Sequence, residues 1–162
     1  MLQNIFQNFK LTKEVSLKNR IVMAPLTRCF ADQDLIPTKL MKEYYVRRAD
    51  VGLIITEATI ISPRAQGYPN TPGIFNQKQI DAWKEITDCI HQKGGKIFMQ
   101  LWHVGRQSHS SYHNGELPLA PSAIGLSGKV PRTDFEYEIP KAMSLVKLYK
   151  NNLLAEKLRK DI

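Results

Sequence analysis

The sequence predicts an α/β fold with a parallel sheet, built from about three successive βα units. Three segments of strand length, at residues 20–25, 52–56 and 96–101, alternate with segments of helical periodicity. The middle one lies in "VGLIITEA", whose continuous apolar run is typical of a strand covered on both faces. Regular alternation of strands and helices indicates βαβ units, and therefore a parallel sheet.

Two architectures share this order of elements, the doubly wound sheet and the (β/α)8 barrel. No GxGxxG motif follows the first strand, and GxxxxGK[ST] does not occur, which argues against the dinucleotide-binding and P-loop versions of the doubly wound sheet. All three strands instead end in polar or conformationally special residues, in "APLT", "TEAT" and "MQLWH". Because the active residues of a barrel lie at the C-terminal ends of its strands, this regularity favours the barrel.

The predicted helices have recognisable starts and ends. Thr38 is a suitable N-cap for a first helix that runs to about residue 50. The second helix begins after Asn76, which has capping-box spacing to Gln79, and ends at Gly94 and Gly95. The inward stripe predicted for this second helix consists of Ile80, Trp83, Ile86, Thr87 and Ile90.

The third strand is followed by a long segment, at about residues 102–140, that is rich in Gly, Pro and Ser. A loop of this length in a compact domain is usually functional or disordered. A short hairpin within it is the alternative to a wholly irregular path. After it, Ser144 is suitably placed to cap a last helix.

Composition places the chain among globular proteins. The 162 residues suffice for one domain, and 43% are hydrophobic while 23% are charged. No apolar run approaches the length that spans a bilayer, and the N-terminus lacks the apolar core of a secretion signal. The lone cysteines Cys29 and Cys89 have no CxxC spacing, which favours a reducing, cytoplasmic compartment and argues against a zinc site.

The net charge of +8 raises the alternative of a nucleic-acid binder. Residues 141–162 contain six basic and two acidic side chains, so that half of the excess charge lies in this short stretch. A solvated helix face accounts for such a run better than a specific site does. We therefore expect neither nucleic acid nor a membrane as a partner.

The ends of the first two strands each allow two interpretations. In "APLT", Pro25 ends sheet pairing and Thr27 offers a hydroxyl, either for a cofactor or as a simple cap at a strand exit. In "TEAT", Ala58 is small enough for a planar ligand to lie against it. Glu57 is either an acid or base, or a structural partner of Arg20 or Arg28, and the structural interpretation is favoured.

The end of the third strand, "QLWHVGRQSH", is the most informative. Gln100 carries a donor and an acceptor on one planar amide, which matches a heterocycle edge with a C=O beside an N–H. Trp102 is placed to wall a pocket, and Tyr68 either reaches the same mouth or packs on the surface. Gly105 and Arg106 indicate a tight turn and an anionic partner.

Histidines near this strand do not form a predicted metal site. His109 and His113 are four residues apart, but no helix is predicted there, and no carboxylate is spaced to complete a ligand set. We expect no metal.

Four segments, taken together and in order, resemble the old yellow enzyme family, in particular FMN-dependent ene reductases of the N-ethylmaleimide reductase type. They are "LKNRIVMAPLTR" (17–28), "YYVRRADVGLIITEAT" (44–59), "GYPNTPGIFNQKQIDAWKEITDCIHQKGGKIFMQLWHVGRQSH" (67–109) and "PLAPSAI" (118–124). The resemblance covers most of residues 1–145.

The resemblance implies an FMN that lies across the C-terminal mouth of the barrel. Its expected contacts are Pro25, Leu26 and Thr27 beneath the ring system, with Ala58 as a small contact residue and Gln100 at the pyrimidine edge. Tyr68 and Trp102 resemble residues of the substrate pocket. The implied reaction uses NAD(P)H as reductant and transfers hydride to activated alkenes, quinones or nitro compounds.

The chain departs from the family pattern after Met143. A complete barrel needs about 250 residues, and neither the family's H-x-x-[HN]-x-Y proton-donor motif nor its phosphate-binding loop occurs here. We therefore expect residues 1–143 to be the N-terminal part of the barrel and residues 144–162 to be a divergent or truncated C-terminal helix, as in a truncated, frameshifted or split gene product. No catalytic residue is assigned, and weak or absent activity of the chain alone is expected.

A non-catalytic half-barrel is the alternative. Such a chain would self-associate through its open sheet edge, whereas in the enzyme interpretation a complementing chain completes the barrel.

Overall fold

The computed structural model describes residues 2–144. Seven strands are present in this part of the chain, and all except the fourth and fifth are two residues long. The strands are β1 (Phe9–Lys10), β2 (Ser16–Leu17), β3 (Val22–Met23), β4 (Leu53–Ile60), β5 (Ile97–Trp102), β6 (Leu119–Ala120) and β7 (Lys141–Ala142). The α-helices are α1 (Lys39–Val46) and α2 (Gln77–Gln92), and single 3-10 turns occur at Leu2–Phe6, Pro63–Ala65 and Ser110–Tyr112. The helix expected after Ser144 lies outside the described residues.

The chain divides into two compact units. Among the described residues, the first comprises residues 2–63 together with residues 68–103, and the second comprises residues 64–67 and 104–144. The first unit contains β1–β5 with both α-helices, and the second contains β6 and β7.

A parallel sheet of order β3–β4–β5 forms the centre of the first unit, as predicted. Val22 pairs with Leu53 on one side of β4, and Ile54 pairs with Ile97 on the other. Strand β4 runs to Ile60, four residues beyond the predicted end at Thr56, so "TEAT" lies inside the strand. The hairpin of β1 and β2 is antiparallel and separate from this sheet.

The two helices cover one face of the sheet. The core cluster consists of Ala31, Met41, Tyr45, Ala49, Ile54, Trp83, Ile86 and Ile90, with Met23, Ile97 and Met99 among the residues packed against it. Because alternate strand residues point to opposite faces, their neighbours Val22 and Phe98 lie on the other face, where they are 48% and 44% exposed.

Helix α1 begins as predicted and ends early. The Thr38 hydroxyl accepts from the Met41 N–H, which confirms the N-cap. The helix ends at Val46 and not near residue 50, because the next N–H groups bond three residues back; those of Arg48 and Ala49, for example, donate to Tyr45 and Val46. These tighter turns bring the chain round to β4.

Helix α2 confirms the predicted start and corrects the predicted stripe. Asn76 accepts from the Gln79 N–H at 3.0 Å, and Gly94, with φ of +69°, follows the helix end. Gln79 is buried and Ile80 is 41% exposed, contrary to the prediction. Gln79 can lie inside because its amide accepts from the Phe75 N–H and donates to the Asp34 carbonyl, which leaves both polar atoms satisfied.

The second unit contains the long segment predicted to be irregular. Strands β6 and β7 pair in parallel, and a hairpin is closed by an antiparallel bridge between Lys129 and Glu136, so the short hairpin is confirmed. The predicted turn at Gly105 is also present, with φ of +59°. Arg106 donates to the Ile124 carbonyl and to the Ser122 hydroxyl, and an anionic partner for it stays a prediction.

No group of three or more His, Cys, Asp or Glu side chains in the described part of the chain could hold a metal ion. None of the helices between residues 2 and 144 is long and apolar enough to cross a membrane.

Candidate active site

A β-bulge at the end of β4 brings Ala58 beside Gln100. Ile55 pairs with Phe98, but Ala58, three residues further along β4, pairs with Gln100, only two residues further along β5. Strand β4 therefore carries one extra residue, since Thr56 and Glu57 lie opposite Met99. Bulges of this kind re-aim side chains and are frequent next to functional sites.

The polar atoms of "TEAT" hold this bulge in place. The hydroxyls of Thr56 and Thr59 both donate to the Glu57 carbonyl, at 2.9 and 3.0 Å. The Thr56 hydroxyl also accepts from the backbone N–H of Gln100 at 3.0 Å. A side chain thus replaces the ladder bond that the bulge interrupts, and it ties Gln100 to the end of β4.

Glu57 is the buried centre of this arrangement. It is 1% exposed. Its Oε1 accepts from the Tyr45 hydroxyl at 3.2 Å, while its N–H donates to the same hydroxyl at 2.8 Å. Its Oε2 accepts from the backbone N–H of Arg28 at 3.3 Å. Of the two arginines proposed as partners, Arg28 is therefore confirmed, whereas the guanidinium of Arg20 lies over the ring of Phe9.

Burial is the main influence on the two ionisable groups of this network. It raises the pKa of Glu57, against the smaller opposing effects of the Arg28 N–H, the Tyr45 hydroxyl and the Arg28 charge. Burial and the neighbouring Glu57 also raise the pKa of Tyr45. The guanidinium of Arg28 lies 3.1 Å from the centroid of the Tyr44 ring. This cation–π contact holds the positive charge of Arg28 against helix α1.

The turn after β3 brings Thr27 to the same place. Its hydroxyl oxygen accepts from the Ala58 N–H at 3.4 Å. Thr27 is thus joined to Ala58, and Ala58 is paired with Gln100, so the three residues predicted from separate strand ends converge. Two residues further on, Cys29 has φ of +62°, in the left-handed region that costs a residue with a Cβ about 1 kcal/mol or more.

These residues fit a flat heterocycle with mixed polar edges. Gln100 is half-buried, and within the described residues its side-chain amide makes no hydrogen bond, which leaves a donor and an acceptor for a ligand. Beside Thr27, Pro25 is half-buried and Leu26 is 61% exposed, so the apolar side chain of Leu26 is accessible to a ligand. FMN offers both the polar edge and the apolar faces.

Tyr68 and Trp102 form an aromatic pair at the end of β5. Their ring centroids are 5.1 Å apart with an interplanar angle of 61°, and both residues are half-buried. Trp102 lies two residues beyond Gln100, on the same face of the strand. Tyr68 therefore packs on Trp102, the residue that is predicted to wall the pocket, and its own place at the pocket mouth stays a prediction.

Sequence reasoning missed Tyr45 and the two threonines. The sequence analysis gives none of these three residues a role. For Thr56 and Thr59 the available signal was their position, because polar residues inside a mostly buried strand must find partners within the fold. A separate cavity of about 470 Å³ lies between α1 and α2, lined by Thr38, Lys42, Glu85, Cys89 and others, and it includes none of the strand-end residues.

Comparison with known proteins decides the family. The model of the NADH:flavin oxidoreductase / NADH oxidase family matches residues 4–153. The chain belongs to this flavin oxidoreductase family. A putative 12-oxophytodienoate reductase 2 from Oryza sativa subsp. japonica is 45% identical over 136 residues, which cover 78% of this chain and 36% of that protein.

Solved structures of flavin oxidoreductases agree with the sheet and helices described above. The old yellow enzyme homologue from Zymomonas mobilis is 42% identical with a TM-score of 0.83, covering 91% of this chain and 41% of that one. Morphinone reductase in complex with tetrahydroNAD is 41% identical, also with a TM-score of 0.83, covering 91% and 42%. The resemblance to old yellow enzymes is confirmed, and the fold is the N-terminal part of their barrel. The chain spans about 36% of the curated relative's length.

Proposed function

We propose that this chain forms the flavin-binding strand ends of an FMN-dependent NAD(P)H oxidoreductase of the ene reductase type. The observation that carries the proposal is the convergence of Thr27, Ala58 and Gln100, through one hydrogen bond and one strand pairing. Family membership supports a flavin as the group that these residues hold. When bound, FMN supplies hydride transfer between a nicotinamide and an electron-poor acceptor.

Each residue then has a distinct task. Gln100 matches its amide to the pyrimidine edge of the flavin, and Ala58 leaves room for the ring system. Thr27 presents its hydroxyl near the flavin carbonyl beside the reactive nitrogen, with Pro25 and Leu26 beneath the ring. Such a contact favours negative charge on the flavin and so tunes its reduction.

Tyr68 and Trp102 supply the acceptor pocket in this proposal. Their edge-to-face contact provides an aromatic wall two residues beyond Gln100. Activated alkenes, quinones and nitro compounds are flat and electron-poor, which suits such a wall. NAD(P)H as reductant is supported by the nicotinamide named in the family description and by the tetrahydroNAD of the morphinone reductase structure.

The 162-residue polypeptide, taken by itself, is proposed to bind FMN weakly and to show weak or absent turnover. It presents three strand ends of a site that a whole barrel surrounds, and it lacks the H-x-x-[HN]-x-Y proton donor. The division at residue 143 remains a prediction. So does a cytoplasmic location, which is consistent with Cys29 and Cys89 not forming a disulfide.

The test is to purify the chain with FMN and follow NADPH oxidation with an enone as acceptor. A saturable change in the flavin absorption band when FMN is added, lost again on gel filtration and accompanied by little turnover, supports the proposal. Robust turnover would show that the missing strands are not needed, and a colourless chain that does not respond to added FMN would contradict the proposal.

A non-catalytic half-barrel that self-associates is the second candidate. It is favoured by the apolar residues Val22, Phe98 and Leu101 of β3 and β5, which are 38–48% exposed, and by the two sheet edges that have no neighbouring strand among the described residues. Sedimentation over a range of concentrations separates the candidates: a colourless oligomer that grows with concentration favours the half-barrel. A complementing chain would instead dissolve that oligomer and restore colour.

A further inference from the structure

We propose that Glu57 is a positioning residue whose buried carboxylate gathers the backbone N–H groups of the turn after β3, and thereby fixes the place of Thr27. The inference rests on the proposed function, since Thr27 matters to chemistry only where a flavin is bound. Glu57 itself touches neither flavin nor substrate in this proposal. It acts through the turn.

The geometry of the turn supports this role. The N–H of Arg28 donates to Oε2 of Glu57 at 3.3 Å, and the N–H of Cys29 donates to the same carboxylate. Cys29 has φ of +62°. Successive N–H groups can converge on one anion when the chain takes such a turn, so the carboxylate accounts for the left-handed conformation at a residue that is not glycine.

The other polar atoms of Glu57 fasten it to the rest of the site. Its carbonyl accepts hydrogen bonds from the hydroxyls of Thr56 and Thr59. Its N–H donates to the Tyr45 hydroxyl, and its Oε1 accepts from the same hydroxyl. The carboxylate is therefore held by the same bulge that pairs Ala58 with Gln100. Glu57 connects the turn of Thr27 to the strand pair that carries the other two residues.

A glutamine replaces only half of this carboxylate. If its oxygen accepts from Tyr45, its NH₂ group faces the Arg28 N–H; if the amide is flipped, the oxygen accepts from the turn, but the Tyr45 hydroxyl loses its acceptor. The ionisable groups that face Glu57 are Tyr45 from α1 and Arg28 from the turn. Neither can supply the missing acceptor.

The first experiment is an NMR titration of the unaltered chain, without FMN. As Glu57 ionises, the amide protons of Arg28 and Cys29 should move downfield together with one midpoint, because both donate to the same carboxylate. The result needs no variant and no flavin. Amide protons that show no common titration between the acid limit of folding and pH 8 would overturn the proposal.

The second experiment is a double-mutant cycle of FMN binding, read from the visible absorption of the flavin. Glu57→Gln should weaken FMN binding about tenfold, as expected for losing an ionised hydrogen-bond acceptor, whereas the half-exposed control Glu43→Gln should not change it. If Glu57 acts through Thr27, Glu57→Gln should have little further effect in a Thr27→Val background. Additive effects would indicate a merely structural role and overturn the proposal.

These outcomes separate the two levels of inference. If the unaltered chain does not bind FMN, the proposed function fails, while the amide titration still decides the role of Glu57. If the unaltered chain binds FMN, and the Glu57→Gln and Glu43→Gln variants bind it with the same affinity, the positioning role fails and the proposed function stands. If Glu57→Gln does not fold, the titration of the unaltered chain decides.

Discussion

Ala58 and Gln100 lie opposite each other on β4 and β5 only because β4 carries one extra residue before them. Without that bulge, Ile55 and Phe98 would set a register that pairs Glu57 with Gln100. The side chain next to the amide would then be a carboxylate and not a methyl group. The bulge thus decides which chemical groups meet at the strand ends.

Gln100 gives the first prediction. Gln100→Met keeps the side-chain length and removes both hydrogen-bonding groups, so FMN binding should weaken about fivefold to twentyfold, as for one or two lost hydrogen bonds. Flavin fluorescence titration measures the change. Gln92→Met, at the exposed end of α2, is the matched control and should bind FMN as the unaltered chain does. Equal binding by both variants would remove Gln100 from the site.

Much of the fold was predictable because its signals are local. An apolar run identifies a strand by itself, and the caps Thr38 and Asn76 need only the residues just after them. The same local signals located the strands approximately, although β4 runs to Ile60, four residues beyond its predicted end. The bulge was not predictable, because it depends on the hydroxyls of Thr56 and Thr59 finding the Glu57 carbonyl inside the folded sheet.

Tyr45 gives the second prediction, on stability. Tyr45→Phe leaves the Glu57 N–H and one carboxylate oxygen buried without their partner, which should lower the free energy of unfolding by about 1–3 kcal/mol. Tyr44→Phe is a close control, since its ring contacts with Arg28 and Arg48 need no hydroxyl, and it should change stability by less than about 0.5 kcal/mol. Urea denaturation of both variants compares them. A Tyr45→Phe chain as stable as Tyr44→Phe would contradict the network.

Gln79 and Ile80 give the third prediction, which separates the structure from the sequence pattern. Gln79→Ala leaves the part-buried Phe75 N–H without its acceptor and should lower the free energy of unfolding by about 1–3 kcal/mol. Ile80→Ala removes a side chain that is already 41% exposed, so it should cost less than about 1 kcal/mol. Helical periodicity alone predicts the reverse, a larger loss of stability for Ile80→Ala than for Gln79→Ala. Thermal unfolding of the pair, in parallel, distinguishes the two.

The pKa of Glu57 gives the fourth prediction, on pH dependence. Burial raises this pKa above its usual value of 4.5, so the folded chain keeps a proton there that the unfolded chain has already released. Its contribution to stability is therefore full below about pH 4.5, falls as the pH rises toward the folded pKa, and is constant above it.

Glu57→Gln cannot titrate and isolates this contribution. We subtract the free energy of unfolding of the variant from that of the unaltered chain at each pH. This difference should decline from about pH 4.5 upward and then level off. Tyr45 and Arg28 remain in both chains. A difference that rises with pH over this window would mean that the pKa is lowered in the folded state.

The most direct test of the flavin-binding proposal is to map FMN onto the chain by NMR, following the backbone amides during an FMN titration. We predict that the amides of Thr27, Ala58 and Gln100 shift together with one dissociation constant, and that the dissociation constant of the Gln100→Met chain is about fivefold to twentyfold higher. Shifts confined to the cavity between α1 and α2, or no saturable shift at these three residues, would contradict the account.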